Sequence, residues 1–405
     1  MRRTVYRLSL VLIFMMPWEG AIRFASSDTG ASVAGLAIGA LWLTTVVMSG
    51  HIRRPDPFLV AASLFMIWSI LSILWSTVPS DSLGHAFTWA QTFVLAFMLW
   101  DLYRTREAVL AGLQAYVLGA YVAIGSAVGN YFSSNPYYTN YERFSVGDTN
   151  PDGFGFIIAL GVPVAWYLAT YAKGAGTARF LRFVNWLYIP AAFLGLALSG
   201  TRTAAIAGAV GAAFGLFWLR RVSFSARVIA VVILTVGFLY LLPLVEPLRS
   251  FERFSTTGTE LTEGDLNGRR GQWSQGLDAF AKRPISGLGT NTYRSANTLG
   301  KVAHNPFLSI LVEVGLVGMI LFGAILVILI LRAFRRSAWD RSFWISVLLV
   351  WAINASSLTW EYRKTTWLFL TLMAISQAVQ VGRSSVRRPA FREHSFVAMT
   401  AGELH

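Results

Sequence analysis

The chain has 405 residues, 55% of them hydrophobic and only 13% charged, with a formal net charge of +14. That is too little polar surface for a soluble domain, so the composition predicts a polytopic membrane protein. Cysteine is absent, which excludes disulfides and thiolate chemistry.

The first apolar stretch, Tyr6 to Trp18 after Met1-Arg2-Arg3, has the look of a secretory leader. No Ala-x-Ala-like cleavage site follows it, and the later stretches are as long, so it reads as an uncleaved first span. Apolar runs of roughly 20 residues match the bilayer thickness. Twelve are legible, at about 5–24, 31–50, 58–76, 84–103, 108–131, 153–172, 180–200, 202–219, 227–245, 305–332, 342–358 and 365–381. Backbone groups cannot be left bare in lipid, so these runs are helices and the fold class is an all-α membrane protein.

With the N-terminus in the cytoplasm, 21 of the 34 Lys and Arg residues fall on the cytoplasmic side, in short basic connections, and 13 on the other. That asymmetry sets an orientation with both termini inside. It accounts for most of the positive charge without a nucleic-acid partner. The organisation expected is helices one to nine over 1–245, an outer loop over 246–304, helices ten to twelve over 305–381, and a cytoplasmic tail over 382–405. Gly35 and Gly39, Gly208, Gly211 and Gly215, and Gly315 and Gly318 recur at helical spacing, which predicts close helix packing. Trp18, Trp75, Trp100, Trp218 and Trp360 sit near span ends, as an interfacial belt requires.

Two outer connections are long. One runs from Tyr131 to Asp152 and carries Arg143, Asp148, Asn150 and Pro151. The other runs for 59 residues, from Glu246 to His304. A loop of that length is usually functional or folded. Within it, Trp273, Leu277, Phe280 and Ala281 share one helical face, with Asn267 and Gly268 as a cap and Pro284 beyond the end. A short amphipathic helix is expected there, lying against the bundle or the membrane surface. Arg269 and Arg270 occupy its first turn, where the free N–H groups and the helix dipole suit a phosphate. Pairing with Glu260, Glu263 or Asp265 is the plainer alternative.

Ser199-Gly200-Thr201-Arg202-Thr203 places Arg202 at the outer mouth of a span. It is a functional candidate by its cost at membrane depth, or else a snorkelling side chain. His304 precedes Asn305-Pro306 at the outer start of span ten. It could serve as a general base, or simply as an interfacial or capping residue. Glu313 lies nine residues on, roughly 13 Å deeper and on another face, which suits a structural or positioning role. Glu361, Arg363 and Lys364 join the last two spans and are expected to pair among themselves. No nucleotide-binding loop, dinucleotide fingerprint or His/Cys metal motif is present, so no cofactor is expected. A metal held by carboxylates alone stays open.

Five stretches in order resemble the O-antigen ligase/O-antigen polymerase superfamily of bacterial envelope enzymes. They are Arg143 with Asp148-Thr149-Asn150-Pro151; Ser199-Gly200-Thr201-Arg202-Thr203; Gly268-Arg269 with Trp273; Pro284-Ile285-Ser286-Gly287-Leu288-Gly289; and His304-Asn305-x-x-Leu308 with Glu313-x-Gly315-x-x-Gly318. The resemblance implies a GT-C-like inner-membrane enzyme with its long loop in the periplasm. Its donor would be a glycan on undecaprenyl diphosphate, and its acceptor lipid A–core or another glycan. Transfer would be inverting and metal-independent. By resemblance His304, Arg202 and Arg269 are the catalytic candidates. Arg143, Arg270, Asn150, Asn305, Glu313 and Trp273 are the candidates for holding the diphosphate or glycan. His304 is followed here by Asn-Pro-Phe, and the motif does not separate a ligase, the reading preferred, from a polymerase. A transporter or flippase is the third reading. It would call for charges deep in several spans, whereas here they cluster at the rim.

Overall fold

The computed structural model describes residues 1–22, 29–139, 142–171, 177–219, 223–245 and 269–386. The expected cap at Asn267 and Gly268, the acids Glu260, Glu263 and Asp265, and most of the tail lie outside them. Among the described residues the fold is helical, with no named strand, and an isolated antiparallel bridge joins Tyr138 and Arg143.

In chain order the helices are α1 (Arg2–Met15), α2 (Gly30–Ser49), α3 (Pro57–Leu71), α4 (Pro79–Leu102), α5 (Arg106–Phe132), α6 (Pro151–Tyr171) and α7 (Thr177–Ser199). They are followed by α8 (Arg202–Trp218), α9 (Phe224–Val245), α10 (Arg269–Lys282), α11 (Pro306–Phe334), α12 (Ala338–Ala355) and α13 (Lys364–Val386). Starts follow the local chemistry. Thr29, Asp56, Thr105, Asn305 and Ser337 each accept a first-turn N–H with the side chain, and proline opens α3 and α11 where no N–H is needed.

Helices occupy all twelve stretches read as spans. Six of them, among the described residues, are long and apolar enough to cross a membrane: Gly30–Ser49, Pro57–Trp75, Arg106–Phe132, Pro151–Tyr171, Arg179–Ser199 and Pro306–Phe334. The first stretch departs most from expectation. Its α-helix ends at Met15 and a 3-10 segment with non-helical Trp18 runs from Met16 to Ala21, because Pro17 cannot continue the hydrogen-bond ladder.

The core is built around α6, of whose span 94% is buried. Close approach at small residues makes this possible. A Cβ on Gly161 would strike the Tyr188 hydroxyl, one on Gly211 would meet Pro163, and one on Gly215 would enter the Trp166 ring. The tryptophans expected to form an interfacial belt are largely inside instead. Trp100, Trp218 and Trp360 are buried, Trp100 donates to the Arg54 carbonyl at 3.0 Å, and Trp75 donates to the Ser286 carbonyl at 3.0 Å. The indole N–H groups of Trp75 and Trp100 pin loops to helices.

Helix α11 is broken. Gly315 has φ 70° and ψ −167°, so two helical pieces meet there. The segment Pro284–Gly289 enters the break and satisfies the freed backbone groups. Leu288 donates to Val312 O at 2.9 Å and Gly289 to Glu313 O at 2.8 Å, while Leu316 donates back to Pro284 O at 2.9 Å. Trp68 Nε1 takes the Val314 carbonyl at 2.9 Å. Irregular backbone beside a membrane survives only with such replacement partners. The close-packing role expected of Gly315 is therefore corrected: a glycine is needed because the backbone is left-handed there and a Cβ would collide with the Ile285 carbonyl.

The amphipathic helix is present as α10, but its buried face is Gln272, Gly276 and Ala279, one step away from the expected stripe, and Leu277 is 50% exposed. Tyr293 explains the shift. Its ring lies over Gly276 and its hydroxyl donates to Gln272 O at 2.9 Å, so the packed face must be small.

Candidate active site

Five chain segments meet at the end of the bundle that carries the Tyr131–Asp152 loop. They are the start of α6, the turn between α7 and α8, the start of α10, the approach to α11, and the turn from Ser356 to Arg363.

Arg143 is buried, and its guanidinium joins two of these segments. Nε donates to Ser199 O at 2.7 Å, and Nη2 donates to Asp152 Oδ1 at 2.5 Å and to Thr201 Oγ1 at 2.9 Å. Thr201 in turn donates to Asp152 Oδ1 at 3.1 Å. An anion approaching Arg143 must compete with this network, so its direct effect is to fix the turn that presents Arg202. Asn150 is local as well: its Oδ1 accepts the Asp152 N–H at 2.8 Å and starts α6. Arg202 is the first residue of α8 and half-buried, and Thr201 provides that helix with no side-chain cap.

Arg269 opens α10 and is half-buried, whereas Arg270 beside it is exposed. Burial lowers the Arg269 guanidinium from the usual arginine range, and Asp152 opposes that shift. Arg269 therefore lies within electrostatic reach of α6, and Arg270 faces outward. Trp273, one turn on, donates its indole N–H to the Ala303 carbonyl at 2.9 Å and tethers the residue before His304.

His304 has φ 50°, a left-handed conformation that costs a non-glycine residue about 1 kcal/mol or more and is held by its surroundings. Its N–H donates to Thr359 Oγ1 at 2.9 Å. The ring is partly buried, and its Nδ1 has no hydrogen-bond partner of normal geometry among the described residues. Burial pulls the imidazole below the usual histidine range. Arg269 adds to this, Asp152 and the Ser357 backbone oppose it, and Lys301 pushes it slightly further down. A ring neutral at pH 7 and facing two cations can accept a proton. Asn305 caps α11, its Oδ1 accepting the Phe307 and Leu308 N–H groups at 2.9 and 3.1 Å.

Glu313 does not join this group. Its carboxylate is buried and accepts the backbone N–H of Asn291 at 2.7 Å and of Tyr293 at 3.3 Å, so it shapes the loop that enters the helix break. Glu361 lies nearby and is also buried. Burial first, then the Glu313 carboxylate, push its own carboxyl up to about 8. The expected pairing among Glu361, Arg363 and Lys364 is replaced in part. Lys364 Nζ reaches Glu19 Oε2 at 3.2 Å and Ser32 Oγ at 2.7 Å, across to the start of α2. Among the described residues no three His, Asp or Glu side chains come together as a metal site would require.

The structure thus gathers Arg143, Asp152, Arg269 and His304, with Arg202 on the turn that Arg143 holds. It assigns Asn150, Asn305, Trp273 and Glu313 to supporting bonds. Sequence reading missed Asp152 and Thr359. Asp152 carried one available signal: an acid in the first turn of a helix, directly after Asn150-Pro151.

A family model described as O-antigen ligase matches residues 187–323. Over those residues the chain is similar to the O-antigen ligase family. The matched residues take in Arg202, Arg269, His304 and the helix break at Gly315, and leave out Arg143, Asp152 and Glu361. No curated protein matches the chain.

Proposed function

We propose that the chain is an O-antigen ligase of the bacterial inner membrane. It would have twelve spans, both termini in the cytoplasm and its site on the periplasmic face. It moves a polysaccharide from undecaprenyl diphosphate to lipid A–core. The acceptor hydroxyl attacks C1 of the sugar, its proton passes to His304, and the bond from C1 to the phosphate oxygen breaks with inversion. The electron pair leaves on the diphosphate, and Arg202 and Arg269 stabilise the charge that builds there. Arg270 contributes from the exposed edge, and Arg143 acts by holding the Arg202 turn. Direct inversion needs a base and leaving-group stabilisation, without a second carboxylate as nucleophile.

The observation that carries this reading is the bond from Trp273, one turn after Arg269, to the Ala303 carbonyl at 2.9 Å, which ties the helix start that bears Arg269 to the residue before His304. A proton acceptor and a phosphate-binding cation are the two groups this transfer requires. Polysaccharide analysis of a deletion strain tests it. Lipid A–core without O-chain, together with long unattached polymer, is expected. Core bearing single repeats would make the enzyme a polymerase, and an unchanged surface glycan would remove both readings.

A further inference from the structure

The site described so far is strongly cationic: Arg143, Arg202, Arg269, Arg270 and Lys301 all lie in the segments that build it. A diphosphate wants that charge, but a base does not. When His304 takes the acceptor's proton it becomes a cation facing Arg269 and Lys301. Both positive charges disfavour the protonated ring and oppose the step the ring must perform.

Asp152 is the anion in position to offset them. It sits in the first turn of α6, the most buried of the six long apolar helices among the described residues, and its N–H is fixed on Asn150 Oδ1 at 2.8 Å. Its Oδ1 accepts from Arg143 Nη2 at 2.5 Å and from Thr201 Oγ1 at 3.1 Å. The carboxylate therefore accepts two hydrogen bonds on one oxygen, and the backbone beneath it is fixed by a third. It lies within electrostatic reach of both Arg269 and His304. The charged groups that face the His304 ring are Arg269 on α10, Lys301 on the same loop and Asp152 on α6. The Ser357 and Thr359 groups from the last turn are neutral.

We propose that Asp152 is the positioning residue of the transfer site, its carboxylate anchoring Arg143 and Thr201 while serving as the fixed counter-charge to the imidazolium that forms on His304. The proposal rests on His304 being the base. Asp152 takes up no proton itself: the acceptor O–H proton stays on the imidazole, and the leaving electron pair stays on the diphosphate. The arrangement gives one acid two tasks. It orders the arginine-bearing turn, and it makes a ring surrounded by cations basic enough to work.

Asp152→Asn keeps the shape and removes the charge. The assay uses full-length purified enzyme with an undecaprenyl diphosphate-linked glycan and lipid A–core, with initial rates taken from pH 5 to 9. Asp152→Asn is expected to lower kcat at least tenfold with a change in donor KM of under threefold. It is also expected to move the acid limb of kcat to lower pH, because the ring loses its counter-charge and sheds its proton more readily. Asp152→Glu is expected to recover part of the rate and keep the limb near its wild-type position. If Asp152→Asn is too slow or too poorly folded to assay, histidine titration by NMR in Asp152→Glu and Asp152→Ser, assigned with His304→Gln, reads the same shift. An acid limb and a His304 titration that do not move when the charge is removed overturn the proposal, as does an Asp152→Asn enzyme with wild-type kcat. His304→Ala separates the two levels. Full activity there removes the base reading itself, whereas an inactive His304→Ala with an unmoved limb in Asp152→Asn removes only the role of Asp152.

Discussion

Gly289 donates its backbone N–H to the carbonyl oxygen of Glu313 at 2.8 Å, across the break that Gly315 makes in α11. The Glu313 side chain binds the same loop, through the N–H groups of Asn291 and Tyr293. Helix α11 and the loop that precedes it therefore fold as one unit, and His304 is mounted at its edge.

Substitution at Gly315 tests that unit. Gly315→Ala places a Cβ against the Ile285 carbonyl in a left-handed conformation, and a loss of about 2 kcal/mol or more is expected. Gly323 lies in the same helix with open space around its Cβ position, and Gly323→Ala should be neutral or stabilise by up to about 1 kcal/mol. Thermal unfolding of the detergent-solubilised protein reads both. Equal melting temperatures for the two variants would mean that the break carries no strain.

Glu361 should make stability depend on pH. Its folded carboxyl is raised to about 8 from an ordinary value near 4.5, by burial and then by Glu313. A raised value means the protonated form is favoured in the fold. Its contribution is complete below about pH 4.5 and lost as pH rises through about 8. Glu361→Gln, neutral throughout, should therefore keep its melting temperature between pH 6 and 9 while wild type falls by a few degrees. Parallel curves for the two proteins would contradict this.

Arg269 and Arg270 are adjacent in sequence but differ in exposure. Arg269 is half-buried beside Asp152 and His304, and Arg270 faces outward. Arg269→Ala should cost on the order of 100-fold in kcat, the scale of losing one donor to a developing anion, and Arg270→Ala under tenfold. Initial rates with purified enzyme decide it. A larger loss at Arg270 would reverse the assignment.

Much of the helical architecture was legible because apolar runs near 20 residues have few other uses. The break in α11 was not, since Gly315 fits a close-packing pattern equally well until its φ is known. Tyr293 set the buried face of α10 from outside the helix, which no periodicity within Trp273–Ala281 could reveal. In the site, His304 and Arg269 stood out as polar groups beside apolar spans. Asp152 did not, because its meaning lies in the partners Arg143, Thr201 and His304 that folding brings to it.

The pH dependence of transfer should follow His304. Burial and Arg269 lower its imidazole, with Asp152 opposing, so the ring is expected to lose its proton below the usual histidine value of about 6.5. The rate should rise with pH through that lower value and then level off. An acid limb at or above about pH 7 would point to a different base.

The most direct measurement is the initial rate of glycan transfer by purified His304→Ala beside wild type, with donor binding measured in the same preparations. Loss of about 100-fold or more in kcat is expected, the range for removing a general base, with the protein folded and donor affinity kept. A His304→Ala enzyme that transfers glycan at the wild-type rate would contradict the assignment of the site.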